Sequence, residues 1–346
     1  MSRSFTFVPL FVVCLALLVG PVAAQDASGV SVTLYEGNPI LSAGEPGTWD
    51  SAGIGWPHVI LQDGTYHMLY LGWAGDSLPY SAVGYATSED GLNWVKYDQN
   101  PVFTLDQADA PRGILAATPI LDGDRWTLYF TGSTAEGRPS SIVLRATASS
   151  PTGQWTTDPE PVLGVGSATE WDSGGGISVD SIVQTSDGFA MYYTHLLSPI
   201  GVGPAYASGG IGLATSPDGV QWTKYDDPST TNAKFAISDP ILTTTDGAAN
   251  WDFGSVGIPI VRTADGSWGM YYSGTNYGDW GIGRATSADG TEWEHGSAQL
   301  IGRPGHGMAP GSVVVGEEVD YLYYADYSAV TNRFDVMLAV ITLPQP

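Results

Sequence analysis

The stretch Gly84-Tyr85-Ala86-Thr87-Ser88-Glu89-Asp90-Gly91-Leu92-Asn93-Trp94 decides the fold, because it recurs along the chain. Residues 212–222 and 283–293 repeat it closely, and residues 146–155 form a looser copy. Each copy is a short apolar strand, a turn in which glycine supplies a positive φ, and a second strand that begins at tryptophan. The tryptophans of the four copies lie 61, 67 and 71 residues apart. This spacing predicts the four-stranded blades of a β-propeller.

The fifth unit predicts how the ring closes. Its strands fall at 312–315, 321–325 and 334–343, and the sequence then ends without a fourth strand. At the other end of the chain, residues 35–41 (Tyr-Glu-Gly-Asn-Pro-Ile-Leu) match residues 97–103 (Tyr-Asp-Gln-Asn-Pro-Val-Phe), which belong to the last strand of the first unit. The sequence therefore predicts an all-β, five-bladed β-propeller closed by the N-terminal strand, which leaves no exposed sheet edge.

Composition and charge restrict the partners. The chain has 346 residues, 45 glycines and a formal net charge of −24. A surface this acidic repels phosphate backbones and anionic lipids, so we do not expect nucleic acid or membrane as partners. We expect a monomer that acts on a neutral or cationic ligand.

The first 24 residues have the pattern of an export signal. Arg3 precedes an apolar run over residues 5–18, and Pro21-Val22-Ala23-Ala24 precedes the expected cleavage point. Cys14, the sole cysteine, lies inside that run, so the mature chain would have no disulfide. A lipid anchor on Cys14 is the alternative. We therefore predict a secreted or periplasmic protein in which residues 25–346 form a single propeller domain.

Candidate site residues are those that break the repeat. Loops that join the fourth strand of one blade to the first of the next share a face with the loops between second and third strands, and these loops are long and varied. Scaffold residues recur in every blade, as Asp50, Asp172 and Asp252 do after tryptophan, whereas functional residues should not. The polar residues without counterparts in the other units are His58, Arg112, Glu136, Asp180, His195, His306 and Asp326.

One succession of motifs carries a family resemblance. The stretch Gly47-Thr48-Trp49-Asp50-Ser51 leads into Pro57-His58-Val59-Ile60 and then into the repeat at residues 86–94. It resembles the five-bladed glycoside hydrolase group, which holds the arabinanase/xylosidase, invertase and levansucrase families. The resemblance implies a base or nucleophile Asp, a helper Asp and an acid Glu on innermost strands, since glycoside cleavage requires a pair of carboxylates.

Carried over by position, the resemblance assigns one of these acids. Asp180 lies seven residues before Asp187 and resembles the helper Asp; in the first unit, Trp56 lies seven before Asp63 and takes the same slot. Thr118 and Ile258 occupy it in the second and fourth units, and no Glu precedes Pro259. In the fifth unit, Pro304-Gly305-His306-Gly307 resembles the arabinanase segment whose His faces an axial calcium, so that ion is the one cofactor the resemblance implies.

Two functions from different classes remain open, and both have carbohydrate as the partner. The first is a glycosidase that uses Asp180 with carboxylates from other loops, such as Glu136, Glu170 or Asp326. The second is a binding module whose axial funnel stacks sugar rings on Trp56, Trp73 and Trp280. In either case His58, Arg112 and His195 would contact the sugar. A propeller that binds other proteins is a third alternative.

Overall fold

The computed structural model describes residues 22–25, 29–75, 82–108, 110, 113–132, 141–197, 208–246, 250–264, 266–316 and 318–344. Within them the chain forms five antiparallel sheets and one short helix, α1 (Leu105–Ala108). No helix in these ranges is long and apolar enough to cross a membrane. The sheets are the five predicted blades.

The strands of the first three blades follow the repeat. Blade one holds β3 (Gly53–Gln62), β4 (Thr65–Trp73), β5 (Ala82–Ser88), β6 (Val95–Lys96) and β7 (Phe103–Thr104). Blade two holds β8 (Ile114–Asp122), β9 (Arg125–Gly132), β10 (Ile142–Ala148) and β11 (Thr156–Thr157). Blade three holds β12 (Gly176–Thr185), β13 (Gly188–Leu196), β14 (Ser208–Ser216), β15 (Thr223–Lys224) and β16 (Pro240–Leu242).

The last two blades differ in how they end. Blade four holds β17 (Ser255–Ala264), β18 (Ser267–Thr275), β19 (Gly281–Ser287) and β20 (Glu294–Ile301). Blade five holds β21 (His306–Val315), β22 (Val319–Ser328) and β23 (Arg333–Thr342), and it is completed by β2 (Ser31–Leu34) and β1 (Val22–Gln25). In β2, Leu34 pairs with Ala339 of β23. The prediction of an N-terminal closing strand is confirmed.

Two asparagines show why the match between the closing segment and blade one is structural. Asn100 bonds the backbone of Tyr85 from both sides, with Nδ2 donating to the carbonyl at 2.9 Å and Oδ1 accepting from the amide at 2.8 Å. Asn38 makes the same two bonds to Leu338, at 2.9 and 2.8 Å. In each case the asparagine side chain makes the two hydrogen bonds that a backbone residue of a paired strand would make. The residue after each asparagine is a proline, which has no N–H to donate. For this reason the last strand of blade one is divided into two short strands, β6 and β7.

Tyrosine hydroxyls connect neighbouring blades. Tyr129, Tyr192 and Tyr323 occupy the same position of the second strand in blades two, three and five. Each donates to the glycine carbonyl of the next blade's repeat turn: Gly219 at 2.6 Å, Gly290 at 3.0 Å and Gly91 at 3.1 Å. In blade four, Tyr271 donates instead to Asp320 of blade five at 2.8 Å. At three of the five blade junctions the repeat turn is therefore bonded to the preceding blade.

We expect the closing strand to contribute strongly to stability. Val32 is fully buried and packs with Tyr271 and Leu300 of blade four. Val32→Asp would bury an unpaired carboxylate, which should lower the free energy of unfolding by about 3 kcal/mol or more. Thr33→Asp, at the half-buried neighbouring position, is the control. Urea denaturation of both variants checks this, and equal midpoints would contradict it.

The tyrosine bridge gives a second test. Tyr129→Phe removes the hydroxyl that bonds Gly219 and leaves the buried ring in place, so we expect a loss of about 1–2 kcal/mol. Tyr97→Phe removes a hydroxyl that bonds only Gln99 at the surface and should cost under about 0.5 kcal/mol. Thermal unfolding of the two variants measures the difference. Equal effects would mean that the bridge adds no stability.

Candidate functional site

An apolar cavity lies among blades one, four and five, toward one face of the ring. We call this the upper face; it carries the loops between the second and third strands of each blade. The cavity has a volume of about 160 Å³. Its lining comes from blades one, four and five: Trp56, Ile258, Ser273, Trp280, Gly307, Met308, Ala309, Tyr327 and Phe334. We refer to it below as the upper cavity.

Two walls of the upper cavity have strained backbones. Trp56 and Ile258 adopt φ values of +49° and +53°, and each stands before a proline in a bulge of its inner strand. A positive φ is costly for a bulky or β-branched residue, on the order of 1–3 kcal/mol. Surrounding contacts must therefore hold both residues in place. Trp56 packs against Trp73 and Phe334, with ring centroids 6.4 and 6.1 Å away.

Asp180 supports the other strained wall from behind. Thr194 Oγ1 accepts a hydrogen bond from the Ile258 amide at 2.7 Å and donates to Asp180 Oδ2 at 2.6 Å. Ser178 donates to the other carboxyl oxygen at 2.9 Å. Burial raises the pKa of Asp180 to about 7, and the two hydroxyl bonds only partly offset that effect. Asp180 does not line the upper cavity. It positions Ile258, which does.

The strand register corrects the assumed slot of Trp56. Gln62 pairs with Thr65 at the end of blade one's inner hairpin, and Thr185 pairs with Gly188 in blade three. Pro57 lies five residues before Gln62, and Asp180 lies five residues before Thr185. Asp180 therefore corresponds to Pro57 and not to Trp56. Counting from the turn aspartates failed because Asp63 is the first loop residue of its hairpin and Asp187 is the second. By the same register Pro259 and Gly311 take this position in blades four and five, and Ala117 takes it in blade two.

A second cavity lies along the ring axis. It has a volume of about 260 Å³ and is lined by the five innermost strands, with His58, Thr118, Ser181 and Ser312 among its polar side chains. His58 Nε2 lies 3.5 Å from Thr118 Oγ1. Burial lowers the pKa of His58 to about 3, so its imidazole is neutral at physiological pH. The structure thus separates His58 from Trp56 and Trp280, which share the upper cavity.

The predicted acid Asp326 and metal ligand His306 contact each other in blade five. His306 Nδ1 lies 2.8 Å from Asp326 Oδ1, and Arg303 Nη2 lies 3.8 Å from the other carboxyl oxygen. Burial raises the pKa of Asp326, while the bond to His306 lowers it. Calcium takes six to eight oxygen ligands. The described residues contain no group of three acidic, histidine or cysteine side chains placed to hold a metal, so this pair does not fit the implied calcium site.

The remaining predicted residues are placed as follows. His195 is buried on β13, where Nε2 lies 3.1 Å from the Ser173 carbonyl oxygen and the ring contacts Trp171; burial lowers its pKa. Trp73 is 5% exposed, so it is part of the core and supports Trp56. Glu136 and Arg112 lie outside the described residues.

The recurring aspartates make scaffold contacts. Asp50 pairs with Lys96 at 2.6 Å, and Asp252 pairs with His295 at 3.0 Å and accepts from Tyr272 at 2.8 Å. In both blades a basic side chain from the last strand reaches back to the loop that precedes the first strand. These positions agree with the structural role that their repetition predicts.

Sequence reasoning missed several residues of the upper face. Tyr277 is 79% exposed, has a φ of +74° and lies in the same loop as Trp280, between β18 and β19. Phe334 and Met308 line the upper cavity next to Trp56. Tyr277 could have been noticed as an aromatic residue inside the Gly/Asn-rich stretch Gly274-Thr275-Asn276-Tyr277-Gly278. Phe334 and Met308 gave no such signal, because they fit the pattern of buried strands.

Comparison with other proteins establishes the fold. No protein-family model matches the chain. Two curated relatives are the uncharacterized proteins Rv1502 and MT1551 from two strains of Mycobacterium tuberculosis. Each is 24% identical to this chain, and each alignment covers 77% of this chain and 82% of the relative.

Solved glycoside hydrolases share the architecture. One glycoside hydrolase has a TM-score of 0.65 at 17% identity, with 88% of this chain and 91% of that chain covered. A glycosyl hydrolase from Bacteroides ovatus gives 0.62 at 16%, covering 93% and 94%. The GH43_1 enzyme from Xanthomonas citri, solved with xylotriose, gives 0.56 at 16%, covering 84% and 87%. At these identities the likeness shows a shared five-bladed propeller fold.

The raised pKa of Asp180 predicts a pH dependence of stability. Between about pH 4 and about pH 7 the unfolded chain loses this proton while the folded chain keeps it. Asp180 therefore makes stability fall as pH rises, by up to about 1.4 kcal/mol per pH unit, and the loss is complete above about pH 7. Asp180→Asn should remove this fall. Urea denaturation from pH 4 to 8 measures it, with Asp187→Asn at an exposed turn position as the control. If the stability of Asp180→Asn fell with pH as steeply as that of the wild type, Asp180 would not be the group responsible.

Proposed function

We propose that the protein is an exported, carbohydrate-active propeller that binds a plant or microbial oligosaccharide at its upper face. The observation that carries the proposal is the aromatic loop of blade four. Tyr277 presents an exposed ring there, and Trp280, three residues on, lines the upper cavity. Aromatic faces bind the apolar faces of sugars. The fold that it shares with solved glycoside hydrolases supports the same class of ligand.

Binding fits the described residues better than cleavage by the propeller acids. Glycoside cleavage needs two carboxylates that face the scissile bond. Asp180, the one acid that matches the family position, is 2% exposed and bonded to Ser178 and Thr194. Asp326 is equally buried and bonded to His306. Neither side chain presents a free carboxylate to a ligand on the upper face.

Export is part of the proposal. It rests on the pattern of residues 1–24 and on the acidic composition. Cleavage after Ala24 would leave β2, which begins at Ser31, able to pair with β23. N-terminal sequencing of the mature protein from the periplasm or medium tests it, and a chain that still begins at Met1 would overturn it.

The binding proposal predicts the effect of one exposed ring. Arabino-, xylo-, manno- and fructo-oligosaccharides would be screened by glycan array, and the best ligand titrated by calorimetry. Tyr277→Ala should weaken its affinity by up to about tenfold, because the contact of a sugar with one aromatic ring should be worth roughly 0.5–1.5 kcal/mol, as for an aromatic pair. Tyr97→Ala, at a half-buried position in blade one, is the control.

The same samples separate binding from hydrolysis. Each oligosaccharide is incubated with the protein and assayed for new reducing ends. Saturable binding without new ends supports the proposal; turnover would assign the glycosidase instead. No binding of any of the four sugar classes would overturn both.

A further inference from the structure

We propose that the upper cavity is a specific pocket for one neutral, apolar aromatic ring. The inference deepens the proposed function, because the ring would be carried by the ligand of the upper face, as in a glycoside with an aromatic aglycone or an oligosaccharide with an aromatic ester. It does not depend on that function, however, since the pocket should bind the ring alone.

The size and lining of the upper cavity select this ligand. A volume of about 160 Å³ is close to that of an engineered apolar cavity of about 150 Å³ that binds benzene. Four of its lining side chains are aromatic: Trp56, Trp280, Tyr327 and Phe334. Tyr327 and Phe334 already pack at a centroid distance of 5.0 Å, tilted by 43°. A further ring can contact such walls edge-on or offset, the arrangements that aromatic pairs prefer.

The polar groups around the pocket are already bonded. Ser273 Oγ donates to the Met308 carbonyl at 3.1 Å, and the Tyr327 hydroxyl donates to Asn332 Oδ1 at 2.9 Å. The Trp280 carbonyl accepts from the Met308 amide at 3.2 Å. A sugar ring placed here would bury hydroxyl groups without partners, which is costly. An apolar ring has no such groups to satisfy.

The pocket is also held in shape rather than left to collapse. Trp56 and Ile258, which form two of its walls, both have a positive φ. The buried hydrogen bonds from Thr194 to Asp180 and from the Ile258 amide to Thr194 hold Ile258 in place. Strain that the surroundings maintain at a cavity wall points to a preformed site. Ligand pockets are usually preformed, concave and mostly apolar, as this one is.

Fluorobenzene is the probe, and the readout is the methyl resonance of Met308 in protein labelled with ¹³C-methyl methionine. The chain has six methionines, and Met308 alone lines the pocket among those described. We expect a saturable shift of its signal, while that of Met68 in the core of blade one stays in place. The Met308→Leu variant assigns the resonance. 4-Fluorobenzoate should bind about tenfold more weakly or not at all, because its charge would be desolvated without a partner.

A filling variant tests the location. Gly307 pairs with Tyr327, and a Cβ added to it would meet only the Tyr327 Cβ, at 3.7 Å, so Gly307→Leu should project into the pocket with little backbone cost. It should weaken fluorobenzene binding by about tenfold or more. Gly164→Leu, where an added Cβ meets nothing within 4 Å, should leave binding within about twofold.

Three results would overturn the inference. These are no saturable shift at Met308 in the wild type, equal binding of fluorobenzene and 4-fluorobenzoate, and full fluorobenzene affinity in Gly307→Leu. The wild-type titration stands even where a variant fails to fold. If the protein binds an oligosaccharide but not fluorobenzene, the aromatic pocket is refuted and the proposed function stands. If it binds fluorobenzene but no oligosaccharide, the pocket stands and the proposed function is refuted.

Discussion

The pairing of β2 with β23 is the constraint on which the ring depends. Without it, β23 would present a row of unpaired N–H and C=O groups at the edge of blade five, and such an edge invites aggregation. The ladder from Ser31 to Leu34 closes this edge, and Asn38 adds two side-chain bonds to Leu338, 300 residues away. Only with all five sheets complete do the inner strands surround the axis, and both cavities are lined from several blades at once. The candidate site is therefore a product of closure.

The blade architecture was predictable because its causes are local and repeated. An Asp-Gly turn requires its glycine wherever it occurs, and a missing fourth strand must be supplied from elsewhere in the chain. In the turns at Ser88, Ser216 and Ser287 the serine hydroxyl accepts from the same glycine amide, at 2.8–2.9 Å. A motif that makes the same bonds each time can be read from one sequence. The closing strand followed from the same logic, since Asn38 and Asn100 perform one task.

The site was less predictable because its geometry depends on registers and burial that no repeat encodes. A one-residue difference between two hairpin loops moved Asp180 from the Trp56 position to that of Pro57. Desolvation then decided the role of the carboxylates: Asp180 and Asp326 are both buried, and burial raises both pKa values. The sequence shows an acid but not what covers it. Likewise, the strained φ values of Trp56 and Ile258 arise from bulges that only the paired strands define.

Blade five contains both N-terminal and C-terminal strands, so the order of synthesis determines when this blade can be completed. β2 is made before blades one to four, yet its partner β23 is made after all four. The contacts between them join residues about 300 positions apart, and such contacts slow folding, because a long loop must close before they form. Blades one to four can build their local hairpins as the chain emerges, but β2 cannot pair with β23 until Ile341, the partner of Val32 in that strand, has been made. The edge of β2 that faces β23 therefore stays unpaired until blade five has been made, and this edge is what a chaperone would have to shield.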